Sequence, residues 1–454
     1  MAQLDPPDAV SAVSRFLEHV GPANNELNVF SSLAPEKTIR RQALDSMERW
    51  RSGRPLSALD GMLVSAKDNI ARAGEPCRLG SAARSVAPVA EDAPAMAKML
   101  AAGMIVVGRT TMPDHGCKGV THGGLHGTTR NPWNRALTPG GSSGGAAASV
   151  AAGLTRVALG SDGGGSIRIP AAFTGIVGLK PSFGRVPVKV NGAFGSIGHQ
   201  GPLGAGVEDV AALFDVIKSD GEPWNAYGMP DDELDGLRFT VWSDSAGTDP
   251  AIIEAVDRTA SLLASHGAVQ VPWEADLSMA QRAFDVAFSH GAAQAISDLP
   301  PYAPMDPVLV ALAERGRSLS PQDLVEGDFL RQQLRDTVER LFYEVDIVVS
   351  PVAECLAFDV EHEYPPGTEL DGFQKWAPWT YPFNLTGNPA ISLPAGLSAT
   401  GLPIGVQLVT ALDKDEFLLR IAHQVERRLG RLALPERPQR DDESARRRED
   451  PEAI

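Results

Sequence analysis

Residues 138–170 restrict the fold of this chain more than any other segment. The stretch reads TPGGSSGGAAASVAAGLTRVALGSDGGGSIRIP, so two glycine–serine runs enclose small residues that predict a helix and an apolar run that predicts a buried strand. The alternation of short apolar runs with small-residue helices extends over residues 56–205. Because such alternation is typical of α/β proteins, the sequence predicts an α/β fold with glycine-rich loops between its elements.

The rest of the sequence divides the chain into three parts. Apolar residues at helical spacing predict an N-terminal helical arm over residues 1–55. Residues 56–434 predict one large α/β domain, with the glycine-rich core at 56–205 and a helical insertion at about 249–343. The last helix of this domain, DEFLLRIAHQVERRLG, ends in a glycine, which is a common helix C-cap. Residues 435–454 are almost all charged residues and proline, so they predict a disordered tail.

The overall charge and the hydropathy pattern exclude several classes of partner. The formal net charge is −16 and the isoelectric point is about 5.1. An acidic surface repels phosphate backbones, so we expect no nucleic-acid partner. The N-terminus carries acids and prolines instead of a basic segment before an apolar run, and no stretch approaches the ~20 apolar residues of a membrane span. We therefore expect a soluble cytoplasmic protein without a membrane partner.

The cysteines and histidines do not indicate a metal site. The three cysteines, Cys77, Cys117 and Cys355, lie far apart and form no CxxC pair, which argues against a disulfide framework or a cysteine-rich zinc site. His115, His122 and His126 are closer together, but their glycine-rich surroundings predict no helix that would place them on one face. We expect neither a metal ion nor an organic cofactor.

Three other interpretations of segment 138–170 fit the sequence less well. A flexible linker is disfavoured because the segment continues into IRIPAAFTGIVGLKP, which is typical of a protein core. A phosphate-binding P-loop requires lysine where position 166 is serine. The pattern Gly140–Ser142–Gly144 matches the nucleophile elbow of α/β-hydrolases, but the preceding NPWNRALTPG has two prolines and predicts no strand.

A pair of serines and an upstream lysine fit the segment better. Ser142 and Ser166 lie in the two glycine runs, and Lys67 ends an apolar run in DGMLVSAKDNI. Together with GTTRNPWN, IVGLKPSFGRVPV, NLTGNPAISLPAG and GLPIGVQLV, these segments closely resemble the amidase signature family, whose serine hydrolases have a Ser–cis-Ser–Lys triad. The resemblance covers most of the chain. It implies a central mixed β-sheet covered by helices on both sides, and hydrolysis of amide-type C–N bonds.

The resemblance also assigns roles to individual residues. It makes Lys67 the base, Ser142 the bridging serine after a cis peptide bond, and Ser166 the nucleophile that becomes acylated. The chain departs from the family at Gly163, where many members carry a larger residue. This glycine is expected to loosen the loop or to widen the acyl site.

The residues around the triad have supporting roles. Backbone N–H groups of four successive residues are expected to form the oxyanion hole, namely Gly163, Gly164, Gly165 and Ser166. Asp162 and Arg168 flank the loop and are expected to pair across it. Ser143 is expected to cap the helix that follows.

The chemistry requires an unusual state of the lysine. A serine hydroxyl is too weak a nucleophile near neutral pH unless a base removes its proton. Lys67 can be that base only when it is neutral, so its pKa must fall from ~10.4 to roughly 7–8. The apolar run before Lys67 is compatible with the burial that would lower the pKa.

The substrate is less well determined than the chemistry. Candidate pocket residues are Met112, His115, Phe194, His199, Trp376, Trp379 and Tyr381. The aromatic residues among them suit small-to-medium aryl or alkyl amides, followed by carbamates (urethanes), although they are also typical of a core. Two alternatives remain, the glutaminase subunit of a tRNA-dependent amidotransferase and a non-catalytic scaffold of the same fold. We expect a small-molecule substrate and a monomer or homodimer.

Overall fold

A mixed β-sheet of eleven strands runs through the protein, whose computed structural model describes residues 8–188, 194–219, 234–243, 246–367 and 372–435. The strands in this part of the chain are β1 (Phe30–Leu33), β2 (Leu63–Lys67), β3 (Ile105–Thr110), β4 (His122–Gly123), β5 (Gly127–Thr128), β6 (Val157–Asp162), β7 (Val177–Lys180), β8 (His199–Gly204), β9 (Arg238–Val241), β10 (Val269–Gln270), β11 (Ile347–Pro351), β12 (Ala390–Leu397) and β13 (Pro403–Val409). Strands β4 and β5 form a separate hairpin.

The order of the strands in the large sheet is β1-β3-β2-β6-β8-β7-β12-β13-β11-β9-β10. Strand β2 runs parallel to both of its neighbours, β3 and β6. From β6 through β8, β7, β12 and β13 to β11, each strand is antiparallel to the next. Strand β9 is parallel to β11 and to β10. The mixed sheet that the resemblance implied is therefore confirmed.

Helices cover both faces of this sheet, as expected. In the described residues they are α1 (Ala9–Leu27), α2 (Glu36–Arg51), α3 (Pro94–Ala101), α4 (Gly144–Ala151), α5 (Arg168–Thr174), α6 (Val207–Ile217), α7 (Pro250–Ser265), α8 (Met279–Ala295), α9 (Pro307–Ser318), α10 (Pro321–Glu344), α11 (Pro382–Thr386) and α12 (Asp415–Leu429). Helices α3, α6, α7 and α12 share one apolar core with the sheet. On the other face, α4 and α5 lie against the sheet, and α8, α10 and α11 pack outside them.

The alternation of side chains along β2 explains the position of Lys67. Val64 and Ala66 point into the core beneath α3 and α6. Ser65 points to the opposite face, where its hydroxyl lies 2.7 Å from that of Ser149 on α4. Because successive residues of a strand alternate between faces, Lys67 lies on the same side as Ser65. The strand therefore directs the lysine toward α4 and the glycine turn that precedes it.

The predicted division of the chain differs from the structure in two places. Residues 30–33 in the predicted helical arm form β1, which pairs with β3 at the edge of the sheet. In the region 249–343, α7 packs on the sheet beside α12, so of the helices of this region only α8, α9 and α10 belong to the outer helical layer. The last helix ends as predicted, with Gly430 as its C-cap at a φ of 82°. The predicted tail lies outside the described residues, apart from Pro435.

Close contacts at glycine hold the outer helical layer together. A methyl group on Gly316 of α9 would lie 2.0 Å from the carbonyl oxygen of Ser289 on α8. A methyl group on Gly327 of α10 would lie 2.7 Å from a methyl carbon of Val286, also on α8. The three helices can approach this closely only because these positions carry no side chain.

We predict that Gly316→Ala lowers the free energy of unfolding by about 1–3 kcal/mol, because the new methyl group forces α9 away from α8. Gly124→Ala is the matched control, since a Cβ there has no atom within 4 Å, and it should change stability by less than about 0.5 kcal/mol. Urea denaturation of both variants measures the difference. Equal stability of the two variants would contradict the close packing of this layer.

Candidate active site

Lys67 ends β2 in an enclosure of serine oxygens. Its side chain is fully buried. The amine nitrogen Nζ lies 2.7 Å from Ser142 Oγ, 2.9 Å from Ser143 Oγ and 3.0 Å from Ser161 Oγ. The carbonyl oxygen of Ser161 is 3.4 Å away. The structure therefore brings the predicted base and the predicted bridging serine into direct contact.

Burial gives Lys67 the property that a base at neutral pH requires. Removal from water lowers the pKa of Lys67 to about 7, although the negative charge of Asp162 acts in the opposite direction. A substantial fraction of the amine is thus neutral near pH 7. A neutral amine has a lone pair that can accept a proton.

The hydrogen bonds around the amine direct that lone pair. The Ser143 hydroxyl donates to the Ser161 carbonyl oxygen at 3.0 Å, so it can only accept from Lys67. The Ser161 oxygens offer a second acceptor site, and Asn69 supports the Ser161 hydroxyl by donating to it at 2.9 Å. Lys67 Nζ also donates to Ser142 Oγ when it is protonated. In the neutral amine, two N–H groups directed to Ser143 and Ser161 would leave the lone pair facing Ser142, as the predicted relay requires.

A turn with two glycines presents Ser142 to the lysine. The peptide bond between Gly141 and Ser142 is cis, as the resemblance implied. A Cβ on Gly141 would lie 2.5 Å from the carbonyl oxygen of Val120, so only glycine fits against this neighbouring backbone. Thr121 also holds the turn, because its hydroxyl donates to the Gly140 carbonyl oxygen at 2.8 Å.

The expectation for Ser143 was wrong in one respect. Ser143 is the N-cap residue of α4, but its side chain makes no capping hydrogen bond. The hydroxyl instead contacts Lys67 and Ser161. Its backbone N–H donates to the Ser166 carbonyl oxygen at 3.1 Å, which joins the two glycine–serine loops.

Ser166 lies at the more exposed end of this arrangement. The residue is half-buried, whereas Lys67 and Ser142 are buried. Among the described residues, no hydrogen bond connects the Ser166 hydroxyl to Ser142 or to another side chain. The loops are adjacent, and proton transfer between the two hydroxyls stays a prediction.

The predicted pair of Asp162 and Arg168 is present and fully buried. Arg168 donates to both carboxylate oxygens, from Nε at 3.0 Å and from Nη2 at 2.9 Å. Burial alone would raise the pKa of Asp162, but the charge and hydrogen bonds of Arg168 hold this pKa well below its usual range. Arg168 also donates to Thr380 O at 2.8 Å and to Asn384 Oδ1 at 2.6 Å, so the pair fastens the nucleophile loop to the segment around α11.

The prediction that all four residues contribute an N–H group to the oxyanion hole was wrong for one of them. The N–H of Gly165 donates to Asp162 Oδ1 at 2.7 Å, so it is not available to a substrate. The N–H groups of Gly163, Gly164 and Ser166 have no acceptor among the described residues. Gly165 must nevertheless be glycine, because its φ is +133° and a Cβ would lie 2.7 Å from the Thr380 hydroxyl.

The comparison with known proteins agrees with this geometry. The family model described as Amidase matches residues 11–419. A glutamyl-tRNA(Gln) amidotransferase subunit of Fusobacterium nucleatum is 30% identical over 94% of both chains. An acylamidase of Rhodococcus erythropolis is 29% identical over 93% of this chain and 92% of that protein. The solved structure of a bacterial aryl acylamidase has a TM-score of 0.82 at 25% identity and covers 92% of this chain and 93% of that one.

The chain belongs to the amidase signature family. It is therefore a hydrolase that acts on amide C–N bonds, as expected. Across the described residues of this amidase, none of the helices combines the length and apolar character that crossing a membrane requires.

The predicted pocket residues of the amidase fall into two groups. Met112 and Phe194 lie near the catalytic loops. A Cβ atom added to Gly116 would lie 3.6 Å from the methyl carbon of Met112 and 3.0 Å from Ser142 Oγ. Phe194 lies beside Gly163, with ring and Cβ atoms 3.7–3.8 Å from its Cβ position.

The other predicted pocket residues are buried away from solvent, as Met112 also is at 1% exposed. The expectation that Trp376 and Trp379 line a pocket was wrong, because they are 0% and 1% exposed. Trp376 stacks on Phe173 of α5 with ring centroids 6.0 Å apart, which is core packing. Tyr381 is 6% exposed and packs against Phe284 of α8.

The two histidines predicted to line the pocket, His115 and His199, form hydrogen bonds with different residues. His115 receives a hydrogen bond from Arg84 at 3.0 Å, and its Nδ1 lies 2.5 Å from Asp114. His199 is buried, and its Nδ1 lies 2.9 Å from the Ile197 carbonyl oxygen. In the part of the chain that the structure describes, no three His, Cys, Asp or Glu side chains form a candidate metal site.

Three residues of the site were not identified from the sequence. Ser161 contacts the lysine, Thr380 donates to Gly164 O at 2.6 Å, and Asn384 donates to Asp162 Oδ1 at 2.9 Å. Asn384 begins NLTGNPAISLPAG, one of the segments that carry the resemblance, so that motif was the available signal.

We predict that kcat/KM of this amidase rises with pH through about 7, because the pKa of Lys67 is about 7 and only the neutral amine accepts a proton. Lys67→Arg should remain inactive across the range, since an arginine does not deprotonate. Lys37→Arg on the surface is the control and should keep the wild-type profile. A pH–rate series on the three proteins tests this. A wild-type rate that falls through pH 7 would contradict the role of Lys67 as base.

Proposed function

We propose that this amidase hydrolyses small-to-medium aryl or alkyl amides through an acyl-enzyme on Ser166, with carbamates as the next substrate class. The observation that carries the proposal is the buried Lys67 amine, which has a pKa near 7 and lies 2.7 Å from the Ser142 hydroxyl. The names of two similar proteins, an acylamidase and an aryl acylamidase, support amides of this kind.

In the proposed mechanism, Ser166 Oγ attacks the amide carbonyl carbon and forms a tetrahedral intermediate. The Ser166 proton moves to Ser142 as the Ser142 proton moves to Lys67. Backbone N–H groups of Gly163, Gly164 and Ser166 stabilise the oxygen that becomes negative, and each such donor typically contributes a factor of ~10²–10³ in turnover. The C–N bond then breaks as the proton returns through Ser142 to the leaving nitrogen.

Hydrolysis of the acyl-enzyme follows the same path with water as the nucleophile. Lys67 accepts a proton from water through Ser142, and the hydroxide oxygen attacks the ester carbon. The Ser166–acyl bond breaks, and Ser166 recovers its proton. The products are a carboxylic acid and the free enzyme.

A specific similarity favours a second candidate function. The amidotransferase subunit of Fusobacterium nucleatum is as similar in sequence as the acylamidase, so a glutaminase that works within a larger complex is the alternative. The acidic net charge of −16 disfavours a tRNA-linked role. Hydrolysis of anilides by the isolated chain supports the amidase proposal, whereas hydrolysis of glutamine alone supports the alternative.

The oligomeric state and the cellular location stay predictions. The sequence predicts a monomer or homodimer in the cytoplasm, and the three cysteines are free thiols in the structure. Free thiols are compatible with a reducing compartment.

We predict that Ser166→Ala loses roughly a thousandfold or more in hydrolysis of p-nitroacetanilide, because the attacking oxygen is absent. Labelling by a fluorophosphonate probe should be lost as well. Ser265→Ala, at an exposed position of α7, is the matched control and should retain both signals. The panel should include anilides, alkyl amides, carbamates, esters and glutamine. Appreciable turnover by Ser166→Ala would eliminate this serine as the nucleophile, and an unlabelled wild type would favour the non-catalytic scaffold.

A further inference from the structure

The register of the sheet places a turn beside the nucleophile loop. Asp162 at the end of β6 pairs with His199 at the start of β8, and these strands are antiparallel. The residues just before His199 therefore lie alongside the residues just after Asp162. The turn at 194–198 and the loop at 163–166 are neighbours for this reason.

Phe194 is the large side chain that this turn presents to the loop. Its Cβ and ring atoms lie 3.7–3.8 Å from the Cβ position of Gly163, nearer than any other described residue apart from the chain neighbours of Gly163. The absence of a side chain at Gly163 thus leaves the surface of Phe194 next to the loop uncovered. Phe194 as a residue is half-buried.

A row of buried aromatic rings supports Phe194 from behind. Its ring is stacked on Phe288 of α8, with centroids 4.5 Å apart and planes at 9°. Phe288 stacks on Phe284 at 5.0 Å, and Phe284 contacts Tyr381 at 4.9 Å. Phe284, Phe288 and Tyr381 are at most 6% exposed, so of these four residues Phe194 is the one with appreciable exposure.

Arg331 of α10 holds the turn in place. Its Nη1 donates to Ser196 Oγ at 2.5 Å and its Nη2 donates to Ser196 O at 2.8 Å. Its Nε donates to Leu385 O at 2.8 Å. Leu385 follows Asn384, which contacts Asp162, so Arg331 connects the Phe194 turn to the network that holds the nucleophile loop.

In the proposed mechanism, the leaving nitrogen and the acyl substituent of a substrate face different parts of the site. The leaving nitrogen must receive its proton from Ser142, whose hydroxyl oxygen lies 3.0 Å from the Cβ position of Gly116. The acyl substituent points away from that proton donor. Phe194 contacts the loop at Gly163, which is the first residue of the loop, whereas Ser166 is the last. This contact is close to the N–H groups that are proposed to hold the carbonyl oxygen.

We propose that Phe194 determines the acyl specificity of this amidase by stacking on a flat acyl group, such as a benzoyl group, and that Arg331 is the residue that positions it. The inference rests on the proposed function, because it assumes acylation of Ser166. Aromatic pairs add an attraction beyond simple burial, which corresponds to about 3- to 10-fold in kcat/KM. A saturated ring of the same size lacks this attraction.

The test compares benzoyl and cyclohexanecarbonyl p-nitroanilides, which share a leaving group and differ in the flatness of the acyl ring. In Phe194→Leu, the ratio of kcat/KM for benzoyl over cyclohexanecarbonyl should fall about 3- to 10-fold relative to wild type. Phe329→Leu is the matched control, because Phe329 on α10 is 61% exposed, and it should keep the wild-type ratio.

The positioning role of Arg331 has its own variants. Arg331→Gln should lower the same ratio of kcat/KM. In the double variant with Phe194→Leu, the ratio should be no lower than in Phe194→Leu alone, since both changes act through one ring. Arg340→Gln, at an exposed position of the same helix, should have no effect on the ratio. Thermal melting of all variants identifies any general loss of fold.

Each outcome of the experiment has a defined meaning. A ratio that stays within about twofold of wild type in Phe194→Leu overturns this inference while leaving the amidase proposal intact. The inference also fails if the variant instead changes the preference between acetamides of aniline and cyclohexylamine, because Phe194 would then contact the leaving group. A wild type that hydrolyses no amide and does not react at Ser166 overturns the proposed function, and this inference with it.

Discussion

The burial of the Lys67 amine is the constraint on which the active site depends. A lysine in water is protonated near neutral pH and cannot act as a base. Here the end of β2 carries the amine into an interior lined by the hydroxyls of Ser142, Ser143 and Ser161, where burial lowers its pKa to about 7. Asp162 counteracts this shift only in part. The resulting amine is neutral enough to accept a proton and lies 2.7 Å from the Ser142 hydroxyl, which delivers the proton in the proposed mechanism.

The second requirement is a nucleophile loop of fixed shape, which the pair of Asp162 and Arg168 provides. A buried carboxylate without a partner would be costly, and Arg168 compensates its charge through two hydrogen bonds. The same carboxylate accepts the N–H groups of Gly165 and Ile167, so it determines which backbone groups of the loop remain available. The ion pair thus holds the loop whose free N–H groups form the oxyanion site in the proposed mechanism.

Much of this arrangement could be predicted from the sequence, because its signals are local. The apolar run before Lys67 predicts a buried strand, and the two glycine–serine runs indicate loops that approach other backbone closely. The pairing of Asp162 with Arg168 follows from opposite charges that flank one loop. The prediction of an α/β fold had the same local origin, whereas the mixed sheet with helices on both faces came from the family resemblance.

Most of the predictions that were wrong depend on contacts between distant parts of the chain. Ser143 has the right position for a helix cap, but Lys67 and Ser161 are stronger partners for its hydroxyl than the helix N-terminus. Gly165 was assigned to the oxyanion hole because the sequence does not show that Asp162 accepts its N–H. Trp376 and Trp379 were assigned to a pocket, since an aromatic cluster has the same sequence pattern whether it faces a ligand or a core. For Ser143 and the two tryptophans the deciding neighbours lie outside the local motif, whereas for Gly165 the deciding neighbour is Asp162, three residues earlier in the same loop.

The pKa of the Lys67 amine is the quantity that tests this account most directly. NMR titration of the protein with isotope-labelled lysine side chains can follow this amine, with Lys67→Arg used to assign its signal. The account predicts a titration midpoint near 7, well separated from the surface lysines, which titrate at about 10.4. A Lys67 amine that remains protonated up to the midpoint of the surface lysines would contradict it, because no neutral base would then be available to Ser142 and Ser166 near pH 7.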